Sequence, residues 1–544
     1  MPPSHEAAVA QIANVVKTFF ARREPFRVFH GSTNSTRPAH GAKVVDISPL
    51  NNVLEVNEET KTAVVEPNVP MDKLVQATLA CNLVPPVVME FPGITVGGGF
   101  AGSAGESSSF RYGYFDQTVR SVELVLGTGD VVQASPTERP DLFRGAAGTA
   151  GTLGIATKLE LNLIPARRFV KLEYHRHNTV GDTLAAVRRA TEDPSNDYVD
   201  GIIYSKTLGL VMTGKLTDEL PGSARPQTFS GAWDPWFFLH ARKKVDSLDA
   251  KPKPNGSTTN NNGEHPDPPS PPTDYIPLAE YLFRYDRGGF WVGVQGFTYF
   301  PMVPFNRFTR WFLNDFMHTR MLFRALHGSN MSFGQMVHDL SLPYGTAESF
   351  IDYTAEHLDI WPLWLCPLRA IDRPSFHPSY YGPSDEGPPQ PMINIGLWGP
   401  ASQDVETFIQ QNKTLENRLT ALGGRKVLYS HTYYTEEEFW GLYDKPWYTG
   451  LREKYGAQTL PTLYEKVHVN VAKAVTKQRG DGSSGKGWFG WLSGVWPFPG
   501  LLGIRSAIRS KDYLIHRQPG WTYWKDTELR VRALAGRQDV GKGT

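Results

Sequence analysis

The stretch "FPGITVGGGFAGSAGESSSFRYGYFDQTV", residues 91–119, decides how this chain folds. Gly97, Gly99 and Gly102 have the G-x-G-x-x-G spacing of a dinucleotide-binding turn, a motif that needs a strand before its first glycine and an amphipathic helix after its last. Prolines interrupt the upstream segment, and no apolar stripe follows between Gly102 and Ser109. The stretch therefore predicts a long loop of small residues, whose backbone N–H groups suit a phosphate, instead of a Rossmann turn.

A flexible linker is the alternative reading of this stretch. Its large apolar residues argue against a linker, because they resemble anchors that pack against a core. They are Ile94, Val96, Phe100, Phe110, Tyr112 and Tyr114.

Length and composition limit the class of protein. The chain has 544 residues, of which 40 % are hydrophobic and 12 % aromatic, so it can form two or three domains with real cores. Lys plus Arg number 56 against 55 Asp plus Glu, and this balance gives no electrostatic support for binding nucleic acid. Cys81 and Cys366 are the two cysteines, without metal-ligand spacing, so we expect neither a disulfide framework nor a metal site.

Both ends of the chain bear on membrane association. Residues 1–24 place Val9, Ile12 and Val16 at helical spacing without a basic start, which predicts an amphipathic N-terminal helix instead of a signal peptide. Nowhere do 18 uncharged apolar residues run together without a proline, so the sequence does not predict a transmembrane helix. The Trp-rich segment 487–504 either lies at a bilayer interface or packs on its own domain.

The residue patterns along the rest of the sequence divide the chain into domains. Residues 25–170 read as an α+β domain with hairpins turning at Asn57–Thr60 and Gly127–Asp130, and residues 171–475 as a second α+β domain for substrate. Within it, the Pro- and Asn-rich stretch 251–273 predicts a disordered insertion. Residues 305–327 predict one aromatic helix with four arginines, either on a membrane or in a core. Residues 476–544 are a linker and tail.

Three loops in this order resemble those of a known flavin fold: "HGSTNSTR" at 30–37, "FPGITVGGGFAGSAGESSSFRYG" at 91–113 and "GTAGTLGIATKLEL" at 148–161. They are similar to the vanillyl-alcohol-oxidase or PCMH type of FAD-binding domain. Further phrases, such as "WFFLHARKK", "IWPLWLCPLR" and "YTEEEFWGLYD", extend the resemblance to the Δ24-sterol reductases, the Diminuto/Dwarf1 group. The implied fold class is α+β: a PCMH-type FAD-binding domain of two α+β subdomains plus an α+β substrate or cap domain.

This family departs from the present sequence in two places. Its members begin with a hydrophobic membrane-anchoring helix, which residues 1–24 do not resemble, and they do not generally carry a Trp-rich tail. We expect peripheral attachment at the cytosolic face of the endoplasmic reticulum membrane, or a location in the cytoplasm.

The resemblance also implies how FAD is held, between two subdomains and by backbone amides of the loops. Relatives with covalent FAD carry a His after the glycines of the first loop, whereas His30 precedes Gly31 here, so we expect non-covalent FAD. The implied cofactor-binding residues are Gly31, Ser32, Thr33, Asn34, Ser35, Thr95, Val96, Gly97, Gly98, Ser103, Glu106, Ser107, Ser108, Gly151, Thr152, Gly154 and Ile155.

The implied reaction is reduction of the C24=C25 side-chain double bond of a sterol, with hydride passing from NADPH to FAD. An isolated alkene is not polarised, so a general acid must supply a proton in a dry apolar slot. Candidates for catalysis in "VLYSHTYYTEEEFW" are His431, Tyr433 and Glu438, and His431 and Tyr433 alternate with Tyr429 on one face of a predicted strand. Such clusters also simply line sheets.

A second candidate pair lies outside this segment, and the sequence also bears on where NADPH would bind. Arg284 and Asp286 could form either a catalytic pair or a salt bridge. Without a second nucleotide motif, NADPH would share one slot with the sterol. Two other functions stay open: a flavin oxidase or dehydrogenase of the same fold acting on an alcohol or other small molecule, and a non-catalytic flavoprotein docked on a membrane.

Overall fold

The computed structural model describes residues 4–31, 43–247, 270–329, 334–371, 374–380, 389–469, 471 and 496–517. The predicted insertion lies outside these residues as far as position 269, whereas Thr273, its last residue, begins a strand. The predicted linker at 477–487 also lies outside them, as does the Trp-rich segment up to residue 495.

Helices and strands both occur throughout the described chain, and the predicted α+β class is confirmed. The helices are α1 His5–Ala21, α2 Met71–Leu79, α3 Val96–Ala101, α4 Ser109–Tyr112, α5 Pro140–Ala146, α6 Val180–Glu192, α7 Phe237–Ser247, α8 Leu278–Leu282, α9 Gly293–Tyr299, α10 Arg307–Phe312, α11 Thr319–Ser329, α12 Tyr344–His357, α13 Val405–Ala421, α14 Glu436–Leu442, α15 Lys445–Lys454, α16 Leu463–Val467 and α17 Phe498–Ser510. Short 3-10 helices span Phe115–Thr118, Asn314–Phe316 and Asp512–Arg517.

The strands are β1 Arg27–Phe29, β2 Val44–Asp46, β3 Val53–Asn57, β4 Thr62–Val65, β5 Leu83–Val84, β6 Val119–Val125, β7 Val131–Ala134, β8 Ile155–Asn162, β9 Ile164–Pro165, β10 Phe169–His177, β11 Tyr198–Ser205, β12 Leu208–Thr217, β13 Thr273–Pro277, β14 Gln335–Pro343, β15 Leu363–Leu368, β16 Met392–Pro400 and β17 Arg425–Lys426. Two small pairs, β1 with β2 and β5 with β9, stand apart from the two main sheets.

An antiparallel sheet of five strands, in the order β3-β4-β8-β6-β7, forms the N-terminal part. Its two hairpins, β3-β4 and β6-β7, turn where the sequence predicts. Helix α1 packs onto this part with the predicted positions Val9, Ile12 and Val16 buried. The ring of His5 at its start contacts the Glu66 and Glu123 carboxylates at 2.9 and 3.0 Å, which fixes the helix to the sheet.

The second sheet has eight antiparallel strands in the order β13-β10-β12-β11-β15-β16-β14-β17. Alternate residues of a strand point to opposite faces. On β16, Ile393, Ile395 and Leu397 pack into a core with helices α6, α12 and α13. Asn394 and Trp398 point to the other face, which borders a large cleft. Helices α6, α12 and α13 therefore cover the first face, whereas α7 and α8 pack beside β10 on the second face, which borders the cleft along β14, β15 and β16.

The single helix predicted over 305–327 is wrong. The chain forms α10, a 3-10 turn and α11 instead, because Asp286 caps the second helix. Its Oδ1 accepts a hydrogen bond of 3.0 Å from the Thr319 amide, and its Oδ2 contacts the His318 ring at 2.5 Å. This cap comes from a residue about thirty positions away in the chain, so the local pattern of 305–327 does not contain it.

Candidate functional site

A cleft of about 2860 Å³ lies between the glycine loops and the open face of the eight-stranded sheet. Pockets for single small ligands usually measure about 300–1,000 Å³, so this cleft has room for more than one ligand group. Two of its walls are named by their residues. The cofactor wall consists of Gly31, Thr95, Gly97, Gly98, Ser103, Gly148, Ala150, Gly151 and Gly154; the sheet wall consists of Val337, Asp339, Trp364, Asn394, Trp398 and Tyr429.

The glycine stretch begins with a short helix, so the prediction of an uninterrupted loop is wrong there. Thr95 caps α3, its Oγ1 accepting a hydrogen bond of 3.1 Å from the Gly98 amide. The Gly97 amide donates to the Pro67 carbonyl at 2.7 Å, and a Cβ at Gly97 would lie 2.7 Å from the Pro67 side chain. No helix begins at Gly102, which ends α3 instead. The geometry therefore differs from a Rossmann turn.

The second half of the cofactor wall turns through left-handed backbone. Ser103, Gly148, Ala150 and Gly151 have φ of 54°, 70°, 51° and 75°. Such angles are uncommon for residues with a side chain and gather at ligand sites. The Ser103 hydroxyl is buried, has no hydrogen-bond partner among the described residues and lines the cleft. A small-residue wall with an unsatisfied buried hydroxyl fits a bound polar group such as the expected FAD.

Lys466, which is not among the cofactor residues predicted from the sequence, adds a positive charge to this wall. It lies on α16, and its Nζ donates to the Ala150 carbonyl. A Cβ at Gly151 would lie 3.9 Å from that Nζ. Burial lowers the pKa of His30, and the Lys466 charge lowers it further. A cation beside Gly31 and Gly151 suits an anionic phosphate, but nothing local in the sequence around residue 466 signals that position.

The structure brings some of the expected cofactor residues together and not others. Ser32, Thr33, Asn34 and Ser35 lie outside the described residues. Those on the cleft are Gly31, Thr95, Gly97, Gly98, Ser103, Gly151, Gly154 and Ile155. Val96, Glu106, Ser107, Ser108 and Thr152 are buried behind it. Thr152, for example, accepts a hydrogen bond of 2.8 Å from the Tyr448 hydroxyl.

Glu106 belongs to a buried charge cluster behind the cofactor wall. Arg284 approaches Asp200 on β11 at 2.8 Å and the Glu106 carboxylate at 3.6 Å. Its guanidinium lies 4.0 Å from the centre of the Tyr281 ring, a cation–π contact. Burial raises the pKa of Glu106 to about 7, despite the opposing Arg284 charge. The suggested pairing of Arg284 with Asp286 is therefore wrong, since Asp286 caps α11.

Aromatic rings make the sheet wall apolar. Trp364 on β15 and Trp398 on β16 are stacked with ring centres 5.9 Å apart, and Phe290 lies 4.4 Å from Trp398. Gly396, the cross-strand neighbour of Trp364, makes room for this stack, because a Cβ there would lie 2.5 Å from the Trp398 ring. This wall can bury a hydrocarbon and exclude water.

Two carboxyl groups that are not among the residues predicted from the sequence, Asp339 and Glu90, also reach the cleft. Asp339 on β14 accepts a hydrogen bond of 2.8 Å from Asn394, and Tyr429 donates to it in turn. Burial raises the pKa of Asp339 to about 6. Glu90 lies just before the glycine stretch; burial, with the Glu106 and Asp339 charges, raises its pKa well above the ordinary value. These residues are far apart in the chain, and only the fold brings them together.

The three catalytic candidates occupy different places. His431 lines the cleft. Tyr433 packs with Phe408 in the core behind the sheet, and Glu438 is exposed, accepting a hydrogen bond of 2.7 Å from the Thr435 amide in the cap of α14. The structure therefore does not bring these three together. Their catalytic role stays a prediction.

The prediction of a strand that carries Tyr429, His431 and Tyr433 on one face is wrong. Pairing with β14 ends at Lys426, and the chain then turns because it bonds to the buried Glu416 carboxylate. That carboxylate contacts the Lys426 ammonium at 2.6 Å and accepts the Tyr433 amide at 3.0 Å. A tertiary contact replaces the alternation that the sequence predicts.

Helix α17, the described end of the Trp-rich segment, covers part of the cleft. It packs against α11, and its Leu501, Ile504 and Ile508 line the cleft while staying partly exposed to solvent. The Trp496 indole donates a hydrogen bond of 2.9 Å to the Tyr299 carbonyl. In the described part of the chain, the helices are too short or too polar to cross a bilayer.

Known proteins resemble this chain over both walls. Residues 6–135 match the family described as FAD binding domain. The Delta(24)-sterol reductase of Homo sapiens is 29 % identical over 428 residues, covering 77 % of this chain and 76 % of the human protein. The reductase of Pisum sativum is 26 % identical over 456 residues, covering 78 % and 76 %. The resemblance to Δ24-sterol reductases with an FAD-binding domain is thereby confirmed.

Proposed function

We propose, from this likeness to the Δ24-sterol reductases, that the chain is an FAD-dependent oxidoreductase that reduces the C24=C25 side-chain double bond of a sterol or related triterpenoid. NADPH is the proposed hydride donor. The observation that supports this function best is the single cleft, because it joins a wall of glycine loops to a wall of aromatic rings.

The two walls would have different roles in the reaction. FAD, when bound, would take up hydride from NADPH and pass it to carbon. The cofactor wall, with Lys466 beside it, would hold the phosphates through backbone N–H groups and one cation. The rings of Trp364, Trp398 and Phe290 would exclude water around the alkene, so that the reacting carbons meet a dry environment.

NADPH and the sterol would enter the cleft in turn. Beside the matched FAD-binding region, the sequence carries no second nucleotide motif, and the cleft is large enough for a flavin plus one further ligand. Alternate use predicts that NADPH and the sterol compete with each other.

Anaerobic spectroscopy tests the function directly. Addition of NADPH to the purified yellow protein should bleach the flavin, and a Δ24-unsaturated sterol should then restore the colour, whereas the saturated sterol should not. Bleaching without recovery by any sterol would contradict the proposed substrate. A bound flavin that NADPH leaves yellow, but an alcohol reduces, would establish the oxidase or dehydrogenase instead.

We also propose that the protein docks on the cytosolic face of the endoplasmic reticulum membrane without crossing it. Phe308 and Phe312 on α10 are 60 % and 71 % exposed, and the exposed residues of α17 include Leu501 and Leu502. Arg505 and Arg509 on α17 are exposed as well. Exposed apolar side chains beside basic ones fit an anionic bilayer surface. Docking there would present the α17 side of the cleft to sterols dissolved in the bilayer.

Two of the arginines expected on this face are used elsewhere. Arg320 is buried and pairs with Asp72 at 2.8 Å, and Arg324 pairs with Asp512 at 2.9 Å. The basic contribution of α11 to docking is therefore smaller than its sequence indicates.

Co-sedimentation with vesicles containing anionic lipid tests the docking. A Phe308→Ser/Phe312→Ser variant should partition at least about 100-fold more weakly, because each buried Phe contributes about 1.5–3 kcal/mol and two are removed. Leu54→Ser, at an exposed position on β3, is the matched control. Deletion of residues 477–544 should also release the protein from membranes. Unchanged sedimentation of both altered proteins would contradict docking through these helices.

A further inference from the structure

We propose that the Glu90 carboxyl is the acid that delivers the proton to the substrate double bond. The proposal rests on the proposed function and adds to it the residue that supplies the proton. It starts from position, since Glu90 lines the cleft next to the cofactor wall, between Met89 and Phe91, which line it as well.

The segment that carries Glu90 is held at both ends. The Ser108 hydroxyl donates a hydrogen bond of 2.8 Å to the Pro86 carbonyl. On the other side, Arg320 donates to the Pro92 carbonyl at 3.1 Å, and the Met71 amide donates to the Ile94 carbonyl at 2.9 Å. A side chain on such a fixed segment is positioned in advance, as a proton donor must be.

The charges around Glu90 keep its proton in place. Burial raises its pKa most, the Glu106 and Asp339 carboxylates raise it further, and Arg284 opposes them. Asp339 has a pKa of about 6 and accepts hydrogen bonds from Asn394 and Tyr429. Of the two acids in the cleft, Asp339 is therefore the one that ionises more readily. Two carboxyl groups whose pKa values are pushed apart are typical of sites where one serves as the acid.

The other donors in the cleft fit this role less well. Burial and Asp339 raise the pKa of the Tyr429 phenol well above its ordinary value, which makes it a weak acid for an unactivated alkene. His431 lies in the turn that follows Tyr429, on the sheet side of the cleft, and is the alternative donor.

Reduction of the double bond in this way conserves atoms and electrons. The O–H bond of Glu90 and the π bond of the alkene break. One alkene carbon gains the Glu90 proton and the other gains a hydride, whose two electrons come from NADPH, so NADPH is oxidised and the alkene is reduced. Glu90 is left as a carboxylate and regains a proton from water.

Measuring the two half-reactions separately tests the assignment. Glu90→Gln should be bleached by NADPH at the wild-type rate, but sterol-dependent recovery of the colour should slow about 100-fold or more, the usual range for loss of a general acid. The wild-type recovery rate should fall as pH rises through the pKa of Glu90, and the rate of the variant should be independent of pH. Glu280→Gln is the matched control, because Glu280 is a buried carboxyl outside the cleft whose pKa burial also raises.

A second readout needs no turnover. The infrared spectrum of the wild type at pH 7, recorded without sterol or NADPH, should contain a protonated carboxyl band. The difference from the spectrum of each variant should show that Glu90→Gln removes this band and that Glu280→Gln leaves it in place. Absence of that difference would overturn the assignment. So would a Glu90→Gln variant that recovers its colour within threefold of the wild-type rate, whether or not His431→Gln is slow. If NADPH bleaches the wild type but no sterol restores its colour, the proposed function fails, and this proposal fails with it.

Discussion

The two walls of the cleft are built from different parts of the chain. The cofactor wall is mostly backbone: Ser103, Gly148 and Gly151 turn through left-handed φ, and small side chains leave room for a ligand. The sheet wall is mostly side chain, with Trp364 on β15 and Trp398 on β16 stacked against each other. One wall is therefore sensitive to an added methyl group, and the other to a lost ring or donor.

A buried junction connects the two walls. Arg284 contacts Glu106, which lies within the glycine stretch, and Asp200 on β11 of the sheet. The Val199 amide also donates to the Ser107 carbonyl at 2.8 Å. This junction therefore fixes the two walls relative to each other.

Removal of the junction should have the largest effect. Arg284→Met leaves the Asp200 and Glu106 carboxylates buried without their cation, which should lower the free energy of unfolding by about 3–5 kcal/mol. Urea denaturation measures this. The double variant Arg284→Met/Asp200→Asn should regain part of the loss, because one unpaired charge is gone. A single variant as stable as the wild type would show that the walls are fixed by other contacts.

Ionisation of Glu106 should make the free energy of unfolding depend on pH, with an effect slightly smaller than that of Arg284→Met. Its pKa is about 7 in the folded protein, above the ordinary value near 4.3 of an unfolded chain. A raised folded pKa gives stability that is fully present below pH 4 and is lost as pH rises through about 7. At about 1.4 kcal/mol per pKa unit, the difference between about 7 and about 4.3 corresponds to a loss of about 3–4 kcal/mol.

Urea denaturation at pH 5 and pH 8 measures this dependence. The wild type should lose more free energy of unfolding between the two values than Glu106→Gln, in which the titrating group is absent. Equal losses in the two proteins would place the pKa of Glu106 near its ordinary value.

A single methyl group should disturb the cofactor wall. Gly148→Ala puts a Cβ on backbone with φ of 70° and 2.5 Å from the Ser103 hydroxyl, so the wall must shift. At about 1–2 kcal/mol for the left-handed backbone, FAD should bind about tenfold more weakly. Flavin absorbance after dialysis measures this. Gly222→Ala, with open space around its Cβ, is the control. Full flavin retention in Gly148→Ala would contradict a wall built from backbone.

The same difference explains what could be predicted from sequence. The glycine stretch is one continuous segment, so its small residues indicate the cofactor wall, although the Thr95 cap and the tertiary contact of Gly97 with Pro67 produce a helical turn there. The sheet wall draws on β14, β15 and β16, which alternate between two faces, and a sequence does not show which face is open. Tyr433 is an example, since a turn around Glu416 places it in the core.

The smallest effect should come from a conservative change in the sheet wall. The Trp398 indole donates a hydrogen bond to the Tyr429 hydroxyl, which in turn donates to Asp339. Trp398→Phe keeps an aromatic ring but removes this donor, a net loss of about 0.5–1.5 kcal/mol. Flavin content should stay at the wild-type level, because the altered wall does not hold FAD.

Sterol-dependent recovery of the flavin colour should slow about threefold to tenfold in Trp398→Phe, since about 1.4 kcal/mol corresponds to a factor of ten. Trp233→Phe is the matched control, because Trp233 is half exposed and stacks on Trp311 away from the cleft. Loss of flavin from Trp398→Phe would show that the sheet wall also holds the cofactor, and the separation of the two walls by function would then be wrong.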